Sequence, residues 1–109
     1  MSVTAGIQEF LTFSIGEDHY AIHVSRVTET MQMTDITRVP KARPSVRGVI
    51  NLRGNVVTVI DLAIAFGYPH PDEYGSIIVA EAQLCEEEVQ VGVLADTITE
   101  VIRLDVDSM

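Results

Sequence analysis

The sequence predicts an all-β fold built from two similar small β-units, with one or two short helices. Several short segments alternate apolar and polar residues, which is the pattern of strands with one buried face. Turns containing glycine or clustered acidic residues separate these segments. The order strand, acidic turn, strand and then a Thr-Glu pair occurs twice, over residues 11–29 and 77–100. Such an internal repeat is typical of two related units lying side by side.

The N-terminal part predicts a β-hairpin followed by less regular structure. Residues 9–15 and 19–24 alternate, and the turn 16–18 between them contains Gly, Glu and Asp, so we expect the two segments to pair. The apolar spacing in residues 24–31 fits either a helix or a strand, and both interpretations stay open. Residues 36–39 predict a short strand that stops at a proline, which cannot donate a hydrogen bond to a sheet.

The middle of the chain predicts short helical segments on either side of a strand. Residues 44–47 begin with proline and predict one or two helical turns. Glycine and asparagine at 54–55 predict a turn, and the β-branched run 56–60 predicts a strand buried on both faces. Residues 61–67 predict a helix over 62–66, because an aspartate precedes it as N-cap and a glycine follows it.

The C-terminal part predicts a loop and three strands. Two prolines indicate a loop over 68–75. Residues 76–81 and 89–95 predict two strands around the acidic turn 86–88, and 97–104 alternates as a further strand.

The chain is expected to form one domain, residues 1–109, made of two unequal units. The first unit spans about 7–67, and a partial second unit spans about 76–109. The second copy of the repeat lacks a counterpart to the later part of the first, so we expect a second unit that is incomplete at the C-terminus.

The charge of the chain is unevenly distributed. Its net charge is −9 over 109 residues, which argues against nucleic-acid binding because phosphates require clustered cations. The window 26–53 contains six of the seven basic residues and two acidic ones, a net charge of +4, which leaves −13 for the rest. The window is either a solvated loop region or a basic contact patch for an acidic protein surface. No signal peptide or membrane-spanning run is visible, so we expect a cytoplasmic protein without direct membrane insertion.

Residue types that carry catalysis or bind metals do not form a recognisable pattern. His19 and His23 lie on a predicted strand, where their spacing does not group metal ligands, and His70 lies in the proline-containing loop. The lone Cys85 lies in a polar turn without a histidine nearby in sequence. We therefore expect no catalytic, cofactor or metal site.

The segment around residues 48–61 carries a distinctive motif. It reads Gly48-Val49-Ile50-Asn51-Leu52-Arg53-Gly54, then an apolar strand and Asp61-Leu62. Upstream lie Phe13-Ser14-Ile15-Gly16, Tyr20-Ala21-Ile22 and Val27-Thr28-Glu29. Together these motifs resemble the CheW family, the coupling proteins of bacterial chemotaxis, over nearly the whole chain.

The resemblance implies two small SH3-like β-barrel subdomains packed together and a non-enzymatic adaptor function. Such proteins couple chemoreceptors to a histidine kinase, so the implied partners are the regulatory domain of the kinase and the cytoplasmic tip of the receptors. The implied location is at membrane-bound receptor arrays, reached through these protein partners.

The resemblance also implies which residues bind partners. Arg53 and Glu29 match the positions of the coupling surface, and the other implied residues lie next to them in the motifs. The full set is Arg53, Glu29, Val27, Asn51, Gly48, Gly54 and Arg47. Thr30, Thr58, Arg43 and Ser45 depart from residues usual in the family.

Two alternatives to a free-standing adaptor remain. The chain could instead be a related regulatory module, of the kind found at the kinase C-terminus or in CheV-type proteins. An incomplete second barrel would also leave strand edges unpaired, and such edges recruit other chains. A self-assembling, strand-swapped homodimer is therefore the other alternative.

Overall fold

The computed structural model describes residues 6–68, 73–84 and 86–105. Eight strands and one α-helix account for most of these residues, so the all-β prediction is confirmed. The strands are β1 (Ile7–Ile15), β2 (Asp18–His23), β3 (Val27–Gln32), β4 (Val46–Leu52), β5 (Asn55–Ile60), β6 (Ser76–Leu84), β7 (Glu87–Ala95) and β8 (Thr97–Asp105). The helix α1 spans Leu62–Phe66, and a short 3-10 helix spans Val24–Arg26.

The strands form two sheets that pack together. One sheet has the order β2-β1-β8 and the other the order β3-β6-β7-β5-β4. Each sheet therefore contains strands from both sides of the predicted division between residues 67 and 76. The β1–β8 and β3–β6 pairs join the two segments. The division into two units stays a prediction.

The predictions of the first hairpin and of the helix α1 are confirmed. β1 and β2 pair as an antiparallel hairpin. Asp61 caps α1 by accepting a hydrogen bond from the Ile64 backbone N–H at 3.1 Å, and Gly67 ends the helix with a left-handed φ of 77°. Residues 24–31 combine both interpretations left open, because a short 3-10 helix leads directly into β3.

Four local predictions require correction. Residues 44–47 form a single turn and then enter β4, where pairing with β5 outweighs the helical tendency. The predicted strand over 36–39 is reduced to one bridge, Thr37 to Val49. The turn predicted at 54–55 lies one residue earlier, so Asn55 already belongs to β5.

The fourth correction concerns the strand buried on both faces. In β5 only Val57 and Val59 are buried, and Val56 is 70% exposed, because β5 lies beside the edge strand β4 and one of its faces meets solvent. The strands buried on both faces are β6, where all of 77–80 are buried, and β7, where all of 92–95 are buried. Residues from both sheets form the core, of which the largest fully buried side chains are Phe13, Ile15, Ile77, Ile78 and Leu94.

Candidate functional site

A tight turn between β4 and β5 presents Arg53 at the surface. Arg53 and Gly54 both have positive φ, 52° and 85°, as the two central residues of a type I′ turn require. The Asn51 side-chain oxygen accepts a hydrogen bond from the Gly54 backbone N–H at 3.0 Å and so holds the turn. Gly54 has open space where a side chain would lie, so its role here is conformational.

Arg53 forms a two-pronged ion pair with Glu29 of β3. Its Nη2 donates to Glu29 Oε1 at 3.2 Å, and its Nη1 donates to Oε2. The Arg53 side chain is 72% exposed and that of Glu29 is 25% exposed. In a flat sheet the strands between β3 and the β4–β5 turn would separate these groups by roughly 14–19 Å. The two charged groups nevertheless meet, because both long side chains reach towards each other across the sheet.

The two charges of this pair stabilise each other's ionised form. Hydrogen bonding to Arg53 lowers the pKa of the Glu29 carboxyl below its ordinary value. The same hydrogen bond, seen from the other partner, raises the pKa of Arg53. Both groups therefore remain charged at neutral pH, and the surface presents a fixed arginine with an adjacent carboxylate.

Val27 and Gly48 contribute mainly to packing. Val27 begins β3, is separated from Glu29 by a register shift in the pairing with β6, and is partly buried against the core. Gly48 is buried with a φ of 147°, and a Cβ there would lie 2.7 Å from Ile36 Cγ2 and still closer to the Thr37 carbonyl oxygen. Only glycine allows the Thr37 segment to approach β4 this closely.

Arg47 belongs to a different cluster, centred on the buried carboxylate of Asp61. Arg47 Nη1 lies 3.6 Å from Asp61 Oδ2, and its guanidinium lies 6.0 Å from the centre of the Tyr74 ring. The Tyr74 hydroxyl donates to Asp61 Oδ2 at 2.7 Å. Burial, together with this hydrogen bond, raises the pKa of Tyr74. The sequence prediction identified Asp61 as a helix cap but missed Tyr74, whose pairing with Asp61 has no local signal.

Asp96 and His23, two further side chains of chemically reactive types, take part in hydrogen bonds within the fold. Asp96 accepts a hydrogen bond from the Gly16 backbone N–H at 2.6 Å, and the two ring nitrogens of His23 are hydrogen-bonded to Gln8 and Ser25. Within residues 6–68, 73–84 and 86–105, no cluster of three His, Cys, Asp or Glu side chains is suited to hold a metal ion. His70 and Cys85 lie outside the described residues.

The structure thus divides the implied partner-binding residues into three groups. Arg53, Glu29, Asn51 and Gly54 form one surface unit, which we call the arginine turn. Val27 and Gly48 shape its two supporting strands, whereas Arg47 pairs with Asp61. No helix among the described residues is long and apolar enough to cross a membrane.

Two mutually packed sheets define an all-β protein of SH3-like architecture. A CheW-like domain model matches residues 9–109. The chain therefore belongs to the CheW-like domain family.

Individual relatives agree with this assignment. The chain is 39% identical over 97 residues to the chemotaxis protein CheW of Thermotoga maritima, covering 88% of this chain and 62% of the relative. It is 35% identical over 100 residues to that of Bacillus subtilis, covering 89% and 61% respectively. The crystal structure of the scaffolding protein TtCheW from Thermoanaerobacter tengcongensis superposes with a TM-score of 0.81 and 29% identity, covering 93% of this chain and 68% of that one. The chain thus spans less than two thirds of the length of these curated relatives.

Proposed function

We propose that this chain is a non-enzymatic adaptor that couples chemoreceptors to a chemotaxis histidine kinase. Its partners are the regulatory domain of that kinase and the cytoplasmic tip of the receptors, and it acts at cytoplasmic receptor arrays. The observation that carries the proposal is the arginine turn, in which an exposed Arg53 is held in one geometry by Glu29. Membership of the CheW-like family supports the same function.

The backbone of Arg53 gives a first physical argument for a contact role. A positive φ costs a non-glycine residue about 1–2 kcal/mol, and type I′ turns favour Asn-Gly over Arg-Gly. Strained residues of this kind cluster at functional sites, because a function compensates for the cost. Arginine at this position therefore indicates that its side chain is needed.

The ion pair gives a second argument. A guanidinium has five N–H donors, and Glu29 accepts from two nitrogens of Arg53. The remaining donors are available to a partner carboxylate or carbonyl group. Because Glu29 already fixes the Arg53 side chain, that side chain loses less conformational entropy when a partner binds it.

A charge-swap experiment tests the contact role. We would measure binding to the kinase regulatory domain and to the receptor tip by calorimetry, using Arg53→Glu, Glu29→Lys and the double variant carrying both changes. The double variant can re-form the ion pair with reversed polarity. We expect it to recover thermal stability but not binding, because a partner would meet the wrong charge. Arg103→Glu on β8 is the matched control.

The outcomes separate the contact surface from the function. Recovery of binding in the double variant would mean that the pair serves only the fold. Wild-type binding that no variant weakens would place the contact elsewhere, and the absence of wild-type binding to either partner would overturn the adaptor function itself.

The second candidate is a strand-swapped homodimer, favoured by the position of β8. Within the described residues, β8 pairs with β1 and its other edge is unpaired, with Val101 51% exposed. Free strand edges recruit further strands. Light scattering across a dilution series tests this, and a monomer at every concentration would refute it.

A further inference from the structure

A second surface lies at the start of β4, where the basic window of the sequence folds into a cleft. The cleft has a volume of about 750 Å³ and is formed by the segment between β3 and β4 together with the first residues of β4. Four of its lining side chains are cationic and one, Asp35, is acidic. The cations are Arg38, Lys41, Arg43 and Arg47.

Three of these cations have no acidic partner within the described part of the chain. Arg47 pairs with Asp61, whereas Arg38, Lys41 and Arg43 are exposed and enter no ion pair there. The remainder of the chain outside the basic window carries a net charge of −13. Unpaired cations grouped on an otherwise acidic protein create a local positive potential.

The cleft also exposes apolar side chains between its cations. Val39 is 43% exposed and Met33 is 36% exposed, and both line the cleft. Methionine and arginine are enriched where proteins bind one another. The cleft therefore combines apolar contact area with positive charge.

One wall of the cleft is anchored to the sheet. Thr37 exchanges two backbone hydrogen bonds with Val49, at 2.9 and 2.8 Å, and the close approach depends on the missing side chain of Gly48. Because this wall is already fixed, it loses less conformational entropy when a ligand binds in the cleft.

We infer that this cleft binds an extended acidic segment of a partner protein. The cations lie exposed around the cleft and do not converge as buried polar groups, as a small-molecule site would need. Clusters of arginine around a groove recognise acidic peptide motifs. A nucleic acid bound in the cleft would place phosphates next to the acidic remainder of the chain, and the repulsion between these negative charges disfavours nucleic-acid binding.

The cleft is distinct from the arginine turn. The cleft adjoins Val46 at the start of β4, and Arg53 follows Leu52 at its end. A strand of this length separates the two by about 20 Å. The inference therefore does not depend on the proposed coupling function, and both surfaces can be occupied together.

Fluorescence anisotropy with a labelled peptide of alternating Glu and Val tests the inference, with the Lys-for-Glu peptide as negative probe. Arg38→Gln combined with Arg43→Gln should weaken binding about tenfold. The matched control, Arg26→Gln combined with Arg103→Gln, makes the same change in net charge away from the cleft and should leave affinity unchanged. Val39→Ser should also weaken binding, and added salt should reduce the affinity.

The results that would overturn the inference are equally specific. Equal losses in the two double variants would mean a nonspecific charge effect. Failure of the wild-type chain to bind the acidic peptide would remove the site. Tighter, cleft-dependent binding of an oligonucleotide or of phosphatidylserine vesicles would assign the cleft to a different class of ligand. Each variant should melt at the wild-type temperature, so that a loss of binding reports the changed surface and not a loss of folding.

Discussion

Replacing Asp61 by alanine should destabilise the protein strongly, although no partner contact is involved. The carboxylate is fully buried and is held by three groups, the Ile64 backbone N–H, the Tyr74 hydroxyl and the Arg47 guanidinium. Loss of the helix cap costs about 1 kcal/mol. Loss of a hydrogen bond to a charged group costs about 1.5–3 kcal/mol. The partly exposed ion pair with Arg47 adds at most about 1 kcal/mol.

Together these contributions give a destabilisation of about 3–5 kcal/mol. For a chain of this size, each kcal/mol lowers Tm by roughly 4 °C, so Asp61→Ala should melt about 12–20 °C earlier. Tyr74→Phe should cost about 1.5–3 kcal/mol. Asp61→Asn should cost less than Asp61→Ala, because asparagine still caps the helix.

Urea unfolding with calorimetry measures both quantities, and the exposed Asp35→Ala serves as control, with an expected effect within about 0.5 kcal/mol. A double-mutant cycle between Asp61→Asn and Tyr74→Phe should show a coupling energy of about 1 kcal/mol or more. A cost below about 1 kcal/mol for Asp61→Ala, or additive effects in the cycle, would refute the network.

Three further predictions concern the arginine turn and its supporting strands. Arg53 lowers the pKa of Glu29 in the folded state. The ionised Glu29 should therefore stabilise the fold above its ordinary pKa, and this stabilisation should be lost as the pH falls through the lowered value. The difference in unfolding free energy between wild type and Glu29→Gln should vanish in acid, and a difference that persists at low pH would contradict this. Gly48→Ala should lower the free energy of unfolding by about 3 kcal/mol or more, since its Cβ would collide with Thr37. Gly54→Ala, with open space around it, should lower that free energy by only about 1–2 kcal/mol. Equal losses for the two variants in urea unfolding would contradict the clash. Arg53→Asn should leave the free energy of unfolding unchanged or raise it by up to about 1 kcal/mol, because asparagine suits the turn and the lost ion pair contributes little. The same variant should weaken partner binding in the calorimetric assay. A stable variant with full affinity would argue against the contact.

Features set by neighbouring residues could be predicted from the sequence. The first hairpin and the helix α1 follow from alternation, a cap and a glycine, all within a few positions of each other. Residues 44–47 departed from prediction because pairing with β5 decides their conformation. The burial of β6 on both faces depends on its place between β3 and β7, which no local pattern specifies.

The candidate site follows the same division. The resemblance to the CheW family singled out Arg53 and Glu29, and their opposite charges allow a surface salt bridge, but its two-pronged geometry depends on the fold because 24 positions separate them. Likewise Tyr74 meets Asp61 across a connecting segment of the chain. Contacts between distant segments depend on the whole fold, and a single sequence contains no local signal for them.

The pairing of the first strand with the last has a consequence for synthesis on the ribosome. Ile7 pairs with Asp105, so β1 must wait for almost the entire chain before its second neighbour exists. At a translation rate of about 5–20 residues per second, the hairpin of β1 and β2 stays without β8 for roughly 4–16 s. Pairings this distant along the chain also slow folding. During that interval the nascent chain exposes an open strand edge with apolar side chains, which is when we expect it to be most prone to aggregation and most in need of a chaperone.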